Sequence, residues 1–336
     1  MKVMQIEGEW SAGHIRRAER PQPKPGPGEV LLKMEAASLN FRDTVLVRRG
    51  YGRWSGELPL VPVSDGAGRV VEVGEGVTRV KVGDLVCPIF CQGWLSGPFR
   101  EWHRTGTLGG PRDGVMQEYM ALSAEGVVRA PRHLDAVAAA TLPCAAVTTW
   151  NAVVHQCRVK PGDVVVVQGT GGVSLFALQF AKLLGARVVA TSSSDAKLQR
   201  VKAMGADELI NYTTTPDWGK VVRELTAGVG ADLVVEVAGT LDASVRAVRM
   251  SGTLALIGVL AGAGPTLGLG PVVTQNIRLQ GIFTGPRDLF EEMARAIEQH
   301  RLTPAIDPTL FAFEDLGRAL EALPSGRHFG KVCCRF

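Results

Sequence analysis

The stretch PGDVVVVQGTGGVSLFALQFAKLLGARVVATSSSDAK, residues Pro161 to Lys197, changes character four times along its length. Asp163 is followed by Val164–Val167, a run too short and too β-branched for a helix, which predicts a strand buried on both faces of a parallel sheet. The glycine cluster Gly169-Thr170-Gly171-Gly172-Val173-Ser174 comes next. Leu175–Leu184 is helical in pattern and stops at Gly185, a residue suited to a left-handed C-terminal position. Arg187–Thr191 reads as a second strand. Strand, glycine turn, helix and strand within about thirty residues form the βαβ unit that seats a dinucleotide pyrophosphate on a helix N-terminus.

Small residues are needed at that turn because side chains would keep a phosphate away from the backbone N–H groups. The third glycine of G-x-G-x-x-G is replaced by Ser174, small enough to let helix and strand stay close. A tight turn with no ligand is the competing reading of a glycine cluster; the flanking strand and helix favour the nucleotide. An acidic residue about twenty positions beyond the glycines would bind a ribose 2′-hydroxyl and select NAD. That place holds Thr191-Ser192-Ser193-Ser194, then Asp195-Ala196-Lys197. Hydroxyls and a lysine suit a 2′-phosphate, and so NADPH, while Asp195 also fits the first turn of the next helix.

At 336 residues the chain exceeds one ordinary core, and two domains are expected. Its 40 glycines and 19 prolines are spread along the sequence, which argues against a disordered tract. A net charge of +4 without a Lys/Arg run or an aromatic-interleaved basic patch disfavours nucleic acid as a partner. No stretch approaches eighteen apolar residues, and MKVMQIEGEW lacks the apolar centre of a leader, so neither membrane nor export is indicated. Six scattered cysteines (Cys87, Cys91, Cys144, Cys157, Cys333, Cys334) fit reduced thiols in the cytoplasm.

Before the glycine unit, short apolar runs alternate with Gly/Pro turns: Val30–Ala36, Gly68–Val73 and Val80–Val86. This spacing predicts an all-β, barrel-like domain over 1–133. The segment 90–110 reads as a loop carrying Trp94, Phe99, Trp102 and His103, either covering a substrate or packed on its own rings. Residues 134–160 look helical. Beyond Lys197, further strands are expected at Glu208–Tyr212, Asp232–Val237, Thr253–Val259 and Arg278–Phe283, with a helix entered at Thr215-Pro216 and another over Asp242–Val248. Six strands with helices between them complete a doubly wound α/β domain over 134–286. The tail 287–336, two amphipathic helices and the short strand Lys331–Arg335, has too little core to stand alone and is expected to return to the first domain.

This arrangement resembles the medium-chain dehydrogenase/reductase superfamily over essentially the whole chain. The residues that carry the likeness are Ser38–Asp43 (SLNFRD), Gly66–Gly74 (GAGRVVEVG), Val82-Gly83-Asp84, Leu142-Pro143-Cys144 with Thr148, and His328–Val332 (HFGKV). They are most similar to the zinc-free, quinone oxidoreductase-like branch, often labelled zinc-type alcohol dehydrogenase-like. The resemblance implies a GroES-like β-barrel catalytic domain and a Rossmann domain. Members with catalytic zinc place a cysteine where this chain has Asn40 and a His-Glu pair where it has Ser64-Asp65, and only Cys144 matches a usual ligand position. One soft ligand and one carboxylate fall short of the three protein ligands of a catalytic zinc, so no metal is expected. Cys87 and Cys91, with His103 further on, could begin another metal site but fit buried thiols better.

Carried over by resemblance, Gly171, Gly172 and Val173 meet the pyrophosphate, and Ser193, Lys197 and Tyr212 surround the 2′-phosphate. Asn40, Thr148 and Gly258 lie near the nicotinamide ribose or carboxamide, and Lys331 closes the cleft. Candidate catalytic residues are Asn40, Asp43 and Tyr51; Asp43 could instead organise its loop, and the family's tyrosine two positions after the motif aspartate is Val45 here. The implied activity is zinc-independent, NADPH-dependent (cofactor NADP) reduction of an activated C=C or quinone-type acceptor, a small-molecule electrophile. The alternatives are an NADP-dependent alcohol/carbonyl dehydrogenase and a cofactor-binding protein with little turnover. A homodimer through the Rossmann sheet edge is the family's usual assembly.

Overall fold

The computed structural model describes residues 1–258, 260 and 267–336. The chain divides into two compact units, Thr148–Thr284 and Met1–Val147 with Gly285–Phe336.

The first of these is built on six parallel strands: β1 (Val164–Gln168), β2 (Arg187–Ser192), β3 (Glu208–Asn211), β4 (Ala231–Glu236), β5 (Val248–Leu256) and β6 (Arg278–Gly281). They lie in the order β3-β2-β1-β4-β5-β6. Helices α1 (Gly172–Leu183), α2 (Asp195–Ala203), α3 (Trp218–Leu225), α4 (Leu241–Ala247) and α5 (Leu269–Thr274) follow the strands. Val165, Val166 and Val167 are fully buried, as a central parallel strand requires. The chain works outward from β1 to β3, then crosses back to β4, so the order reverses between β1 and β4. In open α/β sheets that switch point, at the carboxyl ends of the strands, is where ligands bind.

Some expected boundaries move. α3 begins at Trp218 and not at Pro216, because the Thr215 N–H closes a turn on the Asn211 carbonyl at 2.9 Å. β5 ends at Leu256, and Val259, the expected last residue of that strand, lies outside the described residues.

The other unit holds a seven-stranded sheet. Ile306–Ala312, Lys331–Arg335, Glu29–Ser38, Asp65–Val73, Leu85–Pro88 and Val127–Arg129 are neighbours in that order, and Tyr119–Ser123 also pairs with Glu29–Ser38. The tail is therefore part of this sheet: Lys331–Arg335 runs antiparallel to Glu29–Ser38, with Cys333 opposite Ser38. Leu316, Leu320 and Val332 from the tail share one apolar core with Val30, Met34, Leu39 and Met120.

The boundary between units falls at Val147/Thr148, not at 133/134. Residues 134–147 are tied to the unit that holds the seven-stranded sheet by polar bonds, from the Cys144 N–H to Asp65 at 2.9 Å and from the Cys87 thiol to the Ala139 carbonyl at 3.3 Å. The helical stretch in these residues is irregular, with a wide turn at Leu142–Ala146 where Pro143 removes a backbone donor; a second wide turn, Asn151–Gln156, lies past the boundary. The expected strand Val80–Val86 is mostly turn. Gly83 adopts φ +92° and Asp84 accepts the Lys81 N–H at 3.1 Å, so the strand starts only at Leu85.

Candidate functional sites

Where β1 meets α1, Gly169 adopts φ +74° and donates its N–H to the Thr191 carbonyl at 2.8 Å. Gly171 caps α1 in an extended conformation, with Gly172 and Val173 in the first turn. A Cβ added at Gly169 or Gly171 would meet nothing within 4 Å, so the space above the turn is open to a ligand that needs backbone N–H groups. Ser174, in the place of the third glycine, is buried and donates its hydroxyl to the Gln168 carbonyl at 2.5 Å. The serine thus bonds helix to strand where a glycine would only have let them approach.

The residues assigned to a 2′-phosphate gather at the carboxyl ends of β2 and β3. Ser193 is exposed just beyond β2, Lys197 lies in the first turn of α2, and Tyr212, exposed just beyond β3, donates its N–H to the Ser192 carbonyl at 3.1 Å. Asp195 accepts a 2.7 Å hydrogen bond from the Asn211 amide, which accounts for its carboxylate without a ribose. Gly258 is needed for close approach: a Cβ there would lie 2.8 Å from the Val237 carbonyl oxygen. Thr148 is buried at the start of this unit.

Sequence reading missed a polar cluster at the switch point. Gln168 and Glu236 end β1 and β4, and Glu236 accepts from the Gln168 amide at 2.9 Å and from the Ser244 hydroxyl. The signal was a single polar residue closing each of the apolar runs Val164–Gln168 and Leu233–Glu236.

In the other unit, Asn40 begins the short helix Phe41–Leu46. Asp43 is fully buried; its carboxylate accepts the Asn40 N–H at 2.8 Å and pairs with Arg42 at 3.3 Å. Burial raises its pKa to about 6, against the lowering effects of Arg42 and the Asn40 N–H. With no exposed surface and both oxygens engaged, Asp43 is placed to organise the turn, the second of the two roles expected of it. The Lys331 ammonium, 3 % exposed, donates to the Leu39 carbonyl at 2.7 Å and to Asn40 Oδ1. Asn40 Nδ2 is left buried with no formed hydrogen bond among the described residues. Tyr51 is exposed, with the Arg42 guanidinium 5.8 Å from its ring centroid. Partial burial raises its phenol pKa, with Arg42 opposing and Asp43 and Cys144 adding to the rise, so it is a proton-bearing donor at neutral pH.

The residues at the zinc-ligand positions do not fit a zinc. Asp65 is buried, with one oxygen accepting the Ser64 hydroxyl at 2.6 Å and the other the Cys144 N–H at 2.9 Å. Burial raises the Asp65 pKa and Lys331 pulls it back, so the cation acting on this carboxylate is an ammonium. Cys144 is pushed up to about 12 by burial and by Asp65, leaving a thiol and not the thiolate a metal binds. Among the described residues no group of three or more His, Cys, Asp or Glu side chains could hold a metal ion. At the other candidate metal position the side chains are engaged elsewhere: Cys91 contacts the Thr107 hydroxyl at 3.3 Å, and His103 accepts the Arg100 N–H at 2.8 Å within a cluster of Trp94, Phe99 and Trp102 rings. The 90–110 segment therefore packs on its own aromatics.

Two family models match the chain, an alcohol dehydrogenase GroES-like domain over residues 26–132 and a zinc-binding dehydrogenase domain over 172–299. The zinc-type alcohol dehydrogenase-like protein C1773.06c of Schizosaccharomyces pombe is 43% identical over 322 residues, 94% of this chain and 92% of that protein. The chain belongs to the medium-chain dehydrogenase/reductase superfamily. It is an alcohol dehydrogenase-like oxidoreductase of that superfamily, with a GroES-like domain and a parallel Rossmann sheet. Among solved structures, an NAD-dependent alcohol dehydrogenase is 34% identical with a TM-score of 0.91, covering 100% of both chains. The mycobacterial protein Rv1454c in complex with NADPH is 29% identical with a TM-score of 0.82, again over 100% of both. Among the described residues of this superfamily member, no helix is long and apolar enough to cross a membrane.

Proposed function

We propose that this medium-chain dehydrogenase/reductase is an NADPH-dependent, zinc-independent oxidoreductase acting on an activated C=C bond or a quinone-type acceptor. The observation that carries the reading is the Lys331 ammonium bonded to Asn40 and acting on Asp65, at positions where zinc-dependent relatives hold their metal ligands. Without a metal, reversible alcohol oxidation lacks its usual Lewis acid, whereas reduction of a polarised alkene needs only hydrogen bonds to the developing oxyanion.

When bound, a dihydronicotinamide would supply the hydride, with its electron pair, that the β-carbon of the acceptor takes up. The chain's own part is to hold and polarise. The glycine turn and Ser193, Lys197 and Tyr212 anchor the cofactor's phosphates, and Asn40 Nδ2 and the Tyr51 hydroxyl are donors for a substrate oxygen. A proton from water completes the α-carbon, so two electrons and one proton accompany the hydride's nucleus into the saturated product. A 2′-phosphate is favoured by the hydroxyls and lysine around 193–197 and by the pairing of Asp195 with Asn211.

The likeness to the NAD-dependent alcohol dehydrogenase favours a second reading, a nicotinamide-dependent alcohol/carbonyl dehydrogenase. Metal content of the purified protein, NADPH oxidation across an enone and quinone panel, and alcohol oxidation with NADP+ or NAD+ separate the two. Stoichiometric zinc with alcohol turnover overturns the first reading; enone or quinone turnover by metal-free protein supports it.

A further inference from the structure

Glu236 is 1 % exposed at the last position of β4, directly across the switch point from Gln168 at the end of β1. One carboxylate oxygen accepts from the Gln168 amide at 2.9 Å and from the Ser244 hydroxyl. The other accepts the N–H groups of Gly239 at 2.7 Å and Thr240 at 3.3 Å. Gln168 in turn uses its amide oxygen to accept the N–H groups of Val237 at 3.3 Å and Ala238 at 3.2 Å. The backbone turn from 237 to 240 is therefore held by these two side chains, and the glycine turn is joined to the same cluster through Ser174 on the Gln168 carbonyl.

Three of the four donors to Glu236, two backbone N–H groups and an amide, have no means of accepting a proton in return. The pattern suits a carboxylate with both oxygens acting only as acceptors. No Lys, Arg or His pairs with it among the described residues. Neutral dipoles alone hold this buried negative charge, an expensive arrangement for stability when no cation compensates it. The place where it sits, the carboxyl ends of the strands flanking the switch point, is the ligand crevice of a doubly wound sheet. A nicotinamide ring is neutral when reduced and carries one positive charge when oxidised.

We propose that Glu236 is a positioning residue whose fixed charge biases the cofactor site toward the oxidised, cationic nicotinamide. The inference rests on the nicotinamide-dependent reading above and deepens it. A negative charge near the ring stabilises the positive charge that appears as hydride departs, which favours donation from NADPH to an acceptor. The Gln168–Ser244 pair keeps that charge in place and shapes the 237–240 turn.

The test is the ratio of dissociation constants for NADPH and NADP+, measured by fluorescence or calorimetry on full-length protein. Glu236→Gln is expected to weaken NADP+ about tenfold more than NADPH. Ser244→Ala removes one donor but keeps the charge, and is expected to leave the ratio as in the wild type. If the facing amides make Glu236→Gln unstable, Gln168→Met combined with Glu236→Gln removes the opposing donor and reports the same ratio. Equal weakening of both cofactor forms in the neutral variants leaves Glu236 with a purely structural role and overturns the proposal. Wild-type protein that binds neither form would instead remove the nicotinamide reading on which it rests.

Discussion

The Ser174 hydroxyl bonds the Gln168 carbonyl at 2.5 Å, tying the first turn of α1 to the last residue of β1. Both residues are buried, so Ser174→Ala leaves a carbonyl without that donor where water cannot replace it. The expected loss is about 1–2 kcal/mol, read from urea denaturation. Nicotinamide cofactor affinity should fall with it, because the glycine turn lies between the two residues.

Lys331→Met removes a buried ammonium from beside Asp65 and Asp43. The variant also loses the ammonium's bonds to the Leu39 carbonyl and Asn40 and leaves a buried carboxylate without its compensating cation, so it should be destabilised by about 3 kcal/mol. Adding Asp65→Asn takes away the charge left behind, and denaturation of the double variant should show part of the loss recovered. A double variant no more stable than Lys331→Met would separate Lys331 from Asp65 energetically.

Asp43 links stability to pH. Its folded pKa is raised from 3.8 to about 6, so the folded protein holds this proton more tightly than the unfolded chain. The stabilisation is complete below 3.8 and is lost as pH rises through about 6. Wild-type stability measured against Asp43→Asn, which cannot titrate, should therefore decline by about 3 kcal/mol between these limits. A flat difference across denaturation curves at successive pH values would contradict it.

Lys197→Ala tests cofactor choice. NADPH should lose at least about tenfold in affinity and NADH little, since only the former carries the phosphate that the ammonium meets. Equal losses in titrations of both cofactors take Lys197 out of the phosphate site.

Gly258→Ala places a methyl 2.8 Å from the Val237 carbonyl, a backbone atom that yields only by shifting the turn after β4. Circular dichroism should show the fold retained, and cofactor affinity should drop.

The Rossmann sheet was legible because its strands are short, β-branched and punctuated by glycine, and because the glycine turn has one backbone solution. Less legible were features created by partners distant in sequence. Val80–Val86 has an apolar strand pattern, yet Gly83 and Asp84 turn it before Leu85. Residues 134–147 resemble a lead-in to β1, but the Cys144 N–H finds Asp65, 79 positions earlier. Asp43 matches a family motif and left two roles open, catalysis or loop organisation, and its burial and its bond to the Asn40 N–H favour the second. Gln168 and Glu236, 68 positions apart, read singly as polar strand ends and become a cluster only when β1 and β4 pair.

The strand Lys331–Arg335 lies inside its sheet, between Ile306–Ala312 and Glu29–Ser38. Cys333 and Ser38, which touch there, are 295 positions apart. During synthesis the Thr148–Thr284 unit is contiguous and complete before that strand exists, so it can fold while the earlier sheet still lacks an inner member. Until Lys331–Arg335 has been made, Ala36–Ser38 lacks its partner while Tyr119–Ser123 already covers Glu29–Lys33, which leaves a short open hydrogen-bonding edge, the kind of surface that recruits foreign strands. Chaperone dependence and aggregation during expression should therefore track the tail: shortening the chain before Lys331 keeps every residue of the Thr148–Thr284 unit but leaves the seven-stranded sheet without an inner strand.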